Sequence, residues 1–187
     1  MQLRYNYRLY PTPGQQQALT RLFGCVRVVW NDALRARREA HKAGRPYITD
    51  AELSLRLTAA KRTPERAFLG KVSAVPLQQS LADLNIAYRN FFGSHSGRRK
   101  GPRISLPRPK SRKDRRQSAR FTANARFKVL PAGRLRLPGI GDDYQRTLLQ
   151  YDRMAPFDVI IAADRSRGTV RARRAGWDPD IAFHFDA

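Results

Sequence analysis

The chain has 187 residues, 41% of them hydrophobic, enough to bury one modest core or two small ones. Its formal net charge of +22 and pI near 11.4 call for a polyanionic partner, nucleic acid or an anionic membrane surface. A single cysteine, Cys25, excludes an intrachain disulfide and any zinc site with two or more cysteine ligands within this chain.

Thirty of the 37 basic residues are arginine. A GC-rich genome would give the same bias, but a guanidinium forks onto phosphate and stacks on bases, which favours nucleic acid. No N-terminal apolar segment and no apolar run of membrane-spanning length is present, so a cytoplasmic location is expected. No internal repeat is visible.

In chain order, residues Leu3 to Tyr10 alternate in the period of a half-buried strand. Thr12-Pro13-Gly14-Gln15 is a capping box with proline at the first helical position. The helix it opens runs to about Lys42, with Leu19, Leu22, Phe23, Val26, Val29, Trp30, Ala33 and Leu34 on one stripe. Gly24 weakens that helix, so close packing against another helix is expected there. Arg35, Arg37, Arg38 and Lys42 make its far end basic, a surface expected to reach nucleic acid although a solvated face is the plainer reading.

Gly44-Arg45-Pro46 breaks the chain, and Thr49-Asp50-Ala51-Glu52 is a second capping box opening a shorter helix to Ala60. A third turn or helix starts at Thr63-Pro64-Glu65. From about Val75 a long amphipathic helix follows and is expected to end before Gly93. Gln78 and Gln79 stand in its first turns, where amides can meet a phosphate or a base edge. Tyr5, Tyr7, Phe91 and Phe92 could stack on bases, but at strand or helix spacing they read first as core.

Residues Arg98 to Arg120 are the densest charge in the chain. Arg98, Arg99, Lys100, Arg103, Arg108, Lys110, Arg112, Lys113, Arg115, Arg116 and Arg120 face one acid, Asp114. Such a run repels itself unless phosphate neutralises it and releases counterions. Residues 120–123, 127–130 and 134–137 then read as short strands, with a hairpin turn at Pro131-Ala132-Gly133. Beyond Gly141 only Phe157 to Ala162 suggests a strand, and Thr169 to Arg173 is basic.

Three blocks in order carry a family resemblance. The first is Tyr7-Arg8-Leu9-Tyr10-Pro11-Thr12-Pro13 with Gln15, then Phe23-Gly24-Cys25-Val26-Arg27 and Trp30-Asn31. The second is Val75-Pro76-Leu77-Gln78-Gln79 leading through Leu81, Asp83, Leu84, Ala87, Tyr88 and Asn90 to Phe91-Phe92. The third is Pro107-Arg108-Pro109-Lys110, Gln117-Ser118, Phe121 and Gly133-Arg134-Leu135-Arg136-Leu137-Pro138. Over roughly residues 3 to 141 the chain resembles the N-terminal part of TnpB-type (OrfB) proteins of bacterial insertion sequences.

The resemblance implies RNA-guided DNA endonucleases, also described as transposases, related to type V CRISPR effectors. It implies an α+β fold, a small β-barrel wedge domain, complete or incomplete, with a helical bundle inserted after its first strand. The expected division is a first barrel strand over 1–11, a recognition or helix-turn-helix-like bundle over 12–93, a basic connector over 94–119, further barrel strands over 120–141 and a divergent tail over 142–187. It also implies a RuvC-like nuclease domain with three metal-holding acids and a zinc ribbon; the 46 residues after Gly141 are too few for the first, and one cysteine cannot supply the second. A truncated or frame-shifted copy without catalytic residues, metal or cofactor is therefore expected. Asp142, Asp143, Asp158 and Asp164 read as solvated carboxylates, and His41, His95 and His184 as structural or solvated. Cys25 reads as a small core residue.

The sequence-level expectation is thus nucleic-acid binding, to guide RNA or DNA, through Arg35, Arg38, Gln78, Gln79 and the cations from Arg98 to Arg120. The alternatives are a stand-alone helix-turn-helix regulator of the mobile element, an active nuclease, or a decayed gene product whose open strand edges invite aggregation.

Overall fold

The computed structural model describes residues 3–9, 11–114, 117–122, 125–130, 134–140, 148–150, 157–163 and 169–174. Strand β1 (Leu3–Leu9) leads into a 30-residue helix, α1 (Pro13–Lys42), followed by α2 (Asp50–Ala60), a short 3-10 helix at Ala67–Lys71, and α3 (Ala74–His95). The strands β2 (Ser118–Thr122), β3 (Lys128–Leu130), β4 (Arg134–Arg136), β5 (Leu148–Gln150), β6 (Phe157–Ala163) and β7 (Thr169–Arg174) follow.

Local chemistry sets the helix ends. At the start of α1 the Gln15 N–H donates to Thr12 Oγ1 at 3.4 Å and the Thr12 N–H donates to Gln15 Oε1 at 2.9 Å, closing the expected capping box. At its other end Gly44, with φ +62°, lets the Arg45 N–H reach the Ala40 carbonyl at 2.8 Å and its own N–H reach that of His41 at 3.1 Å. Those two bonds are the Schellman pair. The second box is half made. Thr49 Oγ1 accepts from the Glu52 N–H at 3.2 Å, while the Glu52 carboxylate turns forward to Arg56 at 2.6 Å.

Two expectations on glycine fail. Helix α3 runs through Gly93 to His95 and is capped by Ser96, because the left-handed residue that stops it is Gly97, at φ +72°. Gly24 marks no close approach either, since a Cβ there would meet no described atom within 4 Å.

The core joins the two halves of the chain. Leu19, Leu22, Phe23, Val26 and Trp30 of α1 are buried with Leu77, Leu81 and Leu84 of α3, and with Ala119 and Phe121 of β2. Leu135, Leu137 and Ile140 belong to the same cluster. On β2 burial alternates, so Ala119 and Phe121 point inward between the half-buried Ser118, Arg120 and Thr122. Between α1 and α3 the buried Ser80 hydroxyl donates to the Val26 carbonyl at 3.1 Å.

The fold is α+β, but the expected barrel is not supported. Among the described residues the strands pair into two open antiparallel sheets, β1-β6-β7-β2 and β3-β4-β5. Strand β3 continues to β4 and not to β2, so no ladder runs from one sheet into the other. The stretch after Gly141, mostly unassigned from sequence, holds β5, β6 and β7. Strand β6 pairs with β1 over its whole length, from Leu3 opposite Ala163 to Leu9 opposite Phe157. The three helices thus lie, in chain order, between two strands at opposite edges of one sheet. No helix among the described residues is long and apolar enough to cross a membrane.

Candidate nucleic-acid interface

The basic connector does not hang free of the bundle. Its Pro107–Lys110 stretch is strapped to α1 by three side chains. The Trp30 indole N–H donates to the Arg108 carbonyl at 3.0 Å, and Arg38 Nη2 donates to that of Pro107 at 2.7 Å. Asn31 holds both backbone groups of Lys110: its Nδ2 donates to the carbonyl at 3.0 Å and its Oδ1 accepts from the N–H at 2.8 Å. The Lys110 ammonium lies over the Trp30 ring, 4.1 Å from its centre. Upstream, the Arg99 N–H donates to the Gly93 carbonyl and the Ile104 N–H to Ser94 Oγ, both at 3.0 Å. The connector therefore folds back across the end of α3 before it meets α1.

The strap fixes backbone and leaves cations outside. Arg98, Arg99, Lys100, Arg103, Arg108, Arg112 and Lys113 are exposed. Arg115 and Arg116 lie outside the described residues. Arg120 is half-buried and paired with Asp83 of α3, which ties β2 to the bundle. Arg35 is exposed and paired with Asp32 at 2.7 Å. The same Asp32 carboxylate receives Arg66 Nε at 2.9 Å, and this partner raises the Arg66 pKa. Gln78 donates to Ser54 Oγ of α2 at 2.9 Å, and Gln79 is half-buried on α3. A cleft between α1 and the strap is lined by Arg35, Arg38 and Lys42, but also by Asp32 and Glu39. Its mixed charge makes it a poor phosphate pocket.

Arg37 corrects an expectation. Read from sequence as part of the basic face of α1, its side chain is only 2% exposed. Its Nη2 donates to Asp50 Oδ1 at 2.8 Å and its Nε to the Ile48 carbonyl at 3.1 Å, while Tyr47 and Tyr88 cover the guanidinium at 4.4 and 5.3 Å. It packs the break after α1 onto the bundle. Phe92 departs the other way, for it is 54% exposed instead of core. Trp30 and Cys25 are buried as expected, and burial pushes the Cys25 thiol pKa up. Tyr5, Tyr7 and His184 have side chains outside the described residues.

Sequence reasoning missed Trp30 and Asn31 as holders of the connector. The only signal was an indole and an amide side by side on the flank of an otherwise apolar stripe. Their partners stand 78 and 79 residues away.

A family model described as a helix-turn-helix domain of OrfB proteins of the IS605 type matches residues 1–46. In this structure the matched stretch contains β1 and the single helix α1. A protein of Streptomyces pristinaespiralis provisionally named an RNA-guided DNA endonuclease is 44% identical over 121 residues, covering 65% of this chain and 28% of the relative. InsQ of Escherichia coli (strain K12), also provisionally named an RNA-guided DNA endonuclease, is 38% identical over 88 residues, 47% of this chain and 22% of the relative. The virulence protein VsdF of Salmonella dublin is 29% identical over 91 residues, 45% of this chain and 76% of VsdF. The chain thus spans little more than a quarter of the first relative's length. Its resemblance to the N-terminal part of TnpB-type (OrfB) proteins is borne out.

Proposed function

We propose that this chain, similar to the N-terminal part of TnpB-type proteins, binds nucleic acid through its strapped basic connector. One observation carries the reading: exposed cations from Arg98 to Lys113 sit on a backbone already fixed to α1 and α3. A preordered row of guanidinium and ammonium groups loses less conformational freedom on meeting a phosphate backbone than a free tail would. In this reading residues 12–93 form the recognition bundle, and the connector of residues 94–119 supplies most of the phosphate contact. Guide RNA, or its duplex with DNA, is the favoured ligand because contact through backbone and helix shape needs no base-reading helix. The break between α1 and α2, over residues 43–49, is long for the tight turn of an operator-reading helix pair. The names of the relatives support an RNA-guided system, and the chain by itself is proposed to bind without cutting.

The test is fluorescence anisotropy against duplex DNA and structured RNA at several salt concentrations. Replacing Arg112, Lys113, Arg115 and Arg116 with Gln should weaken binding to every sequence alike. It should also flatten the log–log salt slope by about 0.9 for each duplex phosphate no longer neutralised, or about 0.7 on single strands. An unchanged slope removes the connector from the interface. A strong preference for one duplex sequence would favour the regulator reading, and Mg2+-dependent cleavage by the purified chain would refute binding without cutting.

A further inference from the structure

A run of rings crosses the surface from the α1–α2 break to the end of α3. Tyr47 meets Tyr88 edge-on with centroids 6.2 Å apart, and Tyr88 stacks with Phe92 at 6.1 Å. Phe92 meets Phe91 at 5.2 Å, and Phe91 lies against the His95 ring at 4.4 Å. Tyr88 is buried and anchors the run, while Tyr47 and Phe92 are 51% and 54% exposed. Tyr47 also covers the Arg37 guanidinium, yet about half of each of the two rings stays in water on one small patch, apolar area that packing within the fold leaves exposed.

The surrounding charge argues for the occupant. Arg89 is exposed one helical turn before Phe92 on α3, so the two share a face. The exposed Arg99 is drawn back onto the same turn by its bond to the Gly93 carbonyl, and a Cβ built on Gly93 would lie 3.8 Å from Arg99 Cβ. Arg98 and Lys100 flank it. Aromatic faces interleaved with cations suit unpaired bases, which stack on rings while the cations meet their phosphates. A paired duplex hides its base faces and could use only the cations.

We propose that the Tyr47–Phe92 patch is a stacking platform for unpaired nucleobases, with Arg89 and Arg99 as its phosphate contacts. The platform rests on the nucleic-acid reading above and assigns to it a single-stranded segment, RNA or DNA. Phe92 supplies the exposed ring at its centre, and Tyr88 holds that ring in place from below.

Binding of the full chain to short single strands carrying 2-aminopurine, as RNA and as DNA, tests this against a blunt duplex of the same length. Phe92→Ala should weaken single-strand binding about tenfold, in the lower part of what stacking supplies per base, and relieve 2-aminopurine quenching while leaving duplex affinity within about twofold. Phe92→Trp keeps a ring and should restore both signals. An abasic strand should bind wild type no more tightly than the parent strand binds Phe92→Ala. Whichever of RNA or DNA shows the larger ring-dependent loss identifies the strand. If Phe92→Ala leaves single-strand binding intact while the connector Gln variant lowers it, the platform is refuted and the nucleic-acid reading stands. An equal loss on duplex and single strand also refutes the platform. Wild-type protein that binds none of the probes refutes both.

Discussion

Truncating Asn31 to alanine tests the strap directly. The side chain makes two hydrogen bonds, 2.8 and 3.0 Å long, to the two backbone groups of Lys110. A neutral hydrogen bond contributes about 0.5–1.5 kcal/mol net, so the pair is worth about 1–3 kcal/mol. Lys110 is only half-buried, and water can satisfy part of what is removed, which places the expected cost near 1.5 kcal/mol. The effect should be local, because both bonds run to the connector. Amide hydrogen exchange followed by mass spectrometry then reads it: residues 104–114 should exchange about tenfold faster, while α3 keeps its protection. Affinity for duplex DNA should fall as well, since binding would have to order the loosened segment. Unchanged exchange of the Lys110 amide, whose acceptor the substitution removes, would refute the strap. Equal acceleration everywhere would show that Asn31 supports the whole fold instead.

The remaining predictions concern α1 and its neighbours. Gly24→Ala should stabilise the protein by about 0.5–1 kcal/mol, raising the melting temperature by about 1–4 °C, because helix propensity improves and the site is open. A lowered melting temperature would mean that the space is filled. Arg37→Ala should destabilise by about 2–4 kcal/mol in urea unfolding, losing one charge-assisted bond, one carbonyl partner and the packing of two tyrosines. Arg37→Met should recover part of that stability by keeping the volume. Cys25 should resist iodoacetamide in the native state and label fully in urea, as intact mass would show. Its raised pKa means that the unfolded chain gives up the proton first. That stability is full below the unfolded thiol's pKa and is lost as pH rises through the folded one.

What was legible from sequence was local. The capping box of α1 needs only Thr12 and Gln15, and its apolar stripe repeats every turn, so the helix was readable from end to end. Glycine was ambiguous because two candidates stand near the end of α3, and only backbone geometry tells that Gly97 stops it. Arg37 was misread because its partners, Ile48, Asp50, Tyr47 and Tyr88, come from other segments, and a period in one helix cannot show them. Sheet order was harder still. The pairing of β1 with β6 joins residues more than 140 positions apart, and no alternation pattern specifies a partner strand.

The strap also explains how a strongly cationic connector can dock on a helix that itself ends in Arg35, Arg38 and Lys42. Asp114 is the only acid between Arg98 and Arg120, and Asp32 of α1 is already paired with Arg35 and Arg66. The side chains of α1 instead take hold of the connector by its carbonyls and its N–H, groups that every residue carries whatever its charge. Arg38 serves this purpose with its own cation, since a guanidinium donates to a carbonyl more strongly than a neutral amide does. Lys110 turns onto the indole face of Trp30, where its charge meets π density. Docking through the backbone leaves Arg98, Arg99, Lys100, Arg103, Arg108, Arg112 and Lys113 exposed, a row of like charges whose self-repulsion opposes the arrangement until polyanion arrives. The strap should therefore be loosest in the free protein at low salt and tighten when either phosphate or added salt screens the connector. Exchange at residues 104–114 measured at two ionic strengths, with and without bound duplex, checks this, and exchange indifferent to both would contradict it.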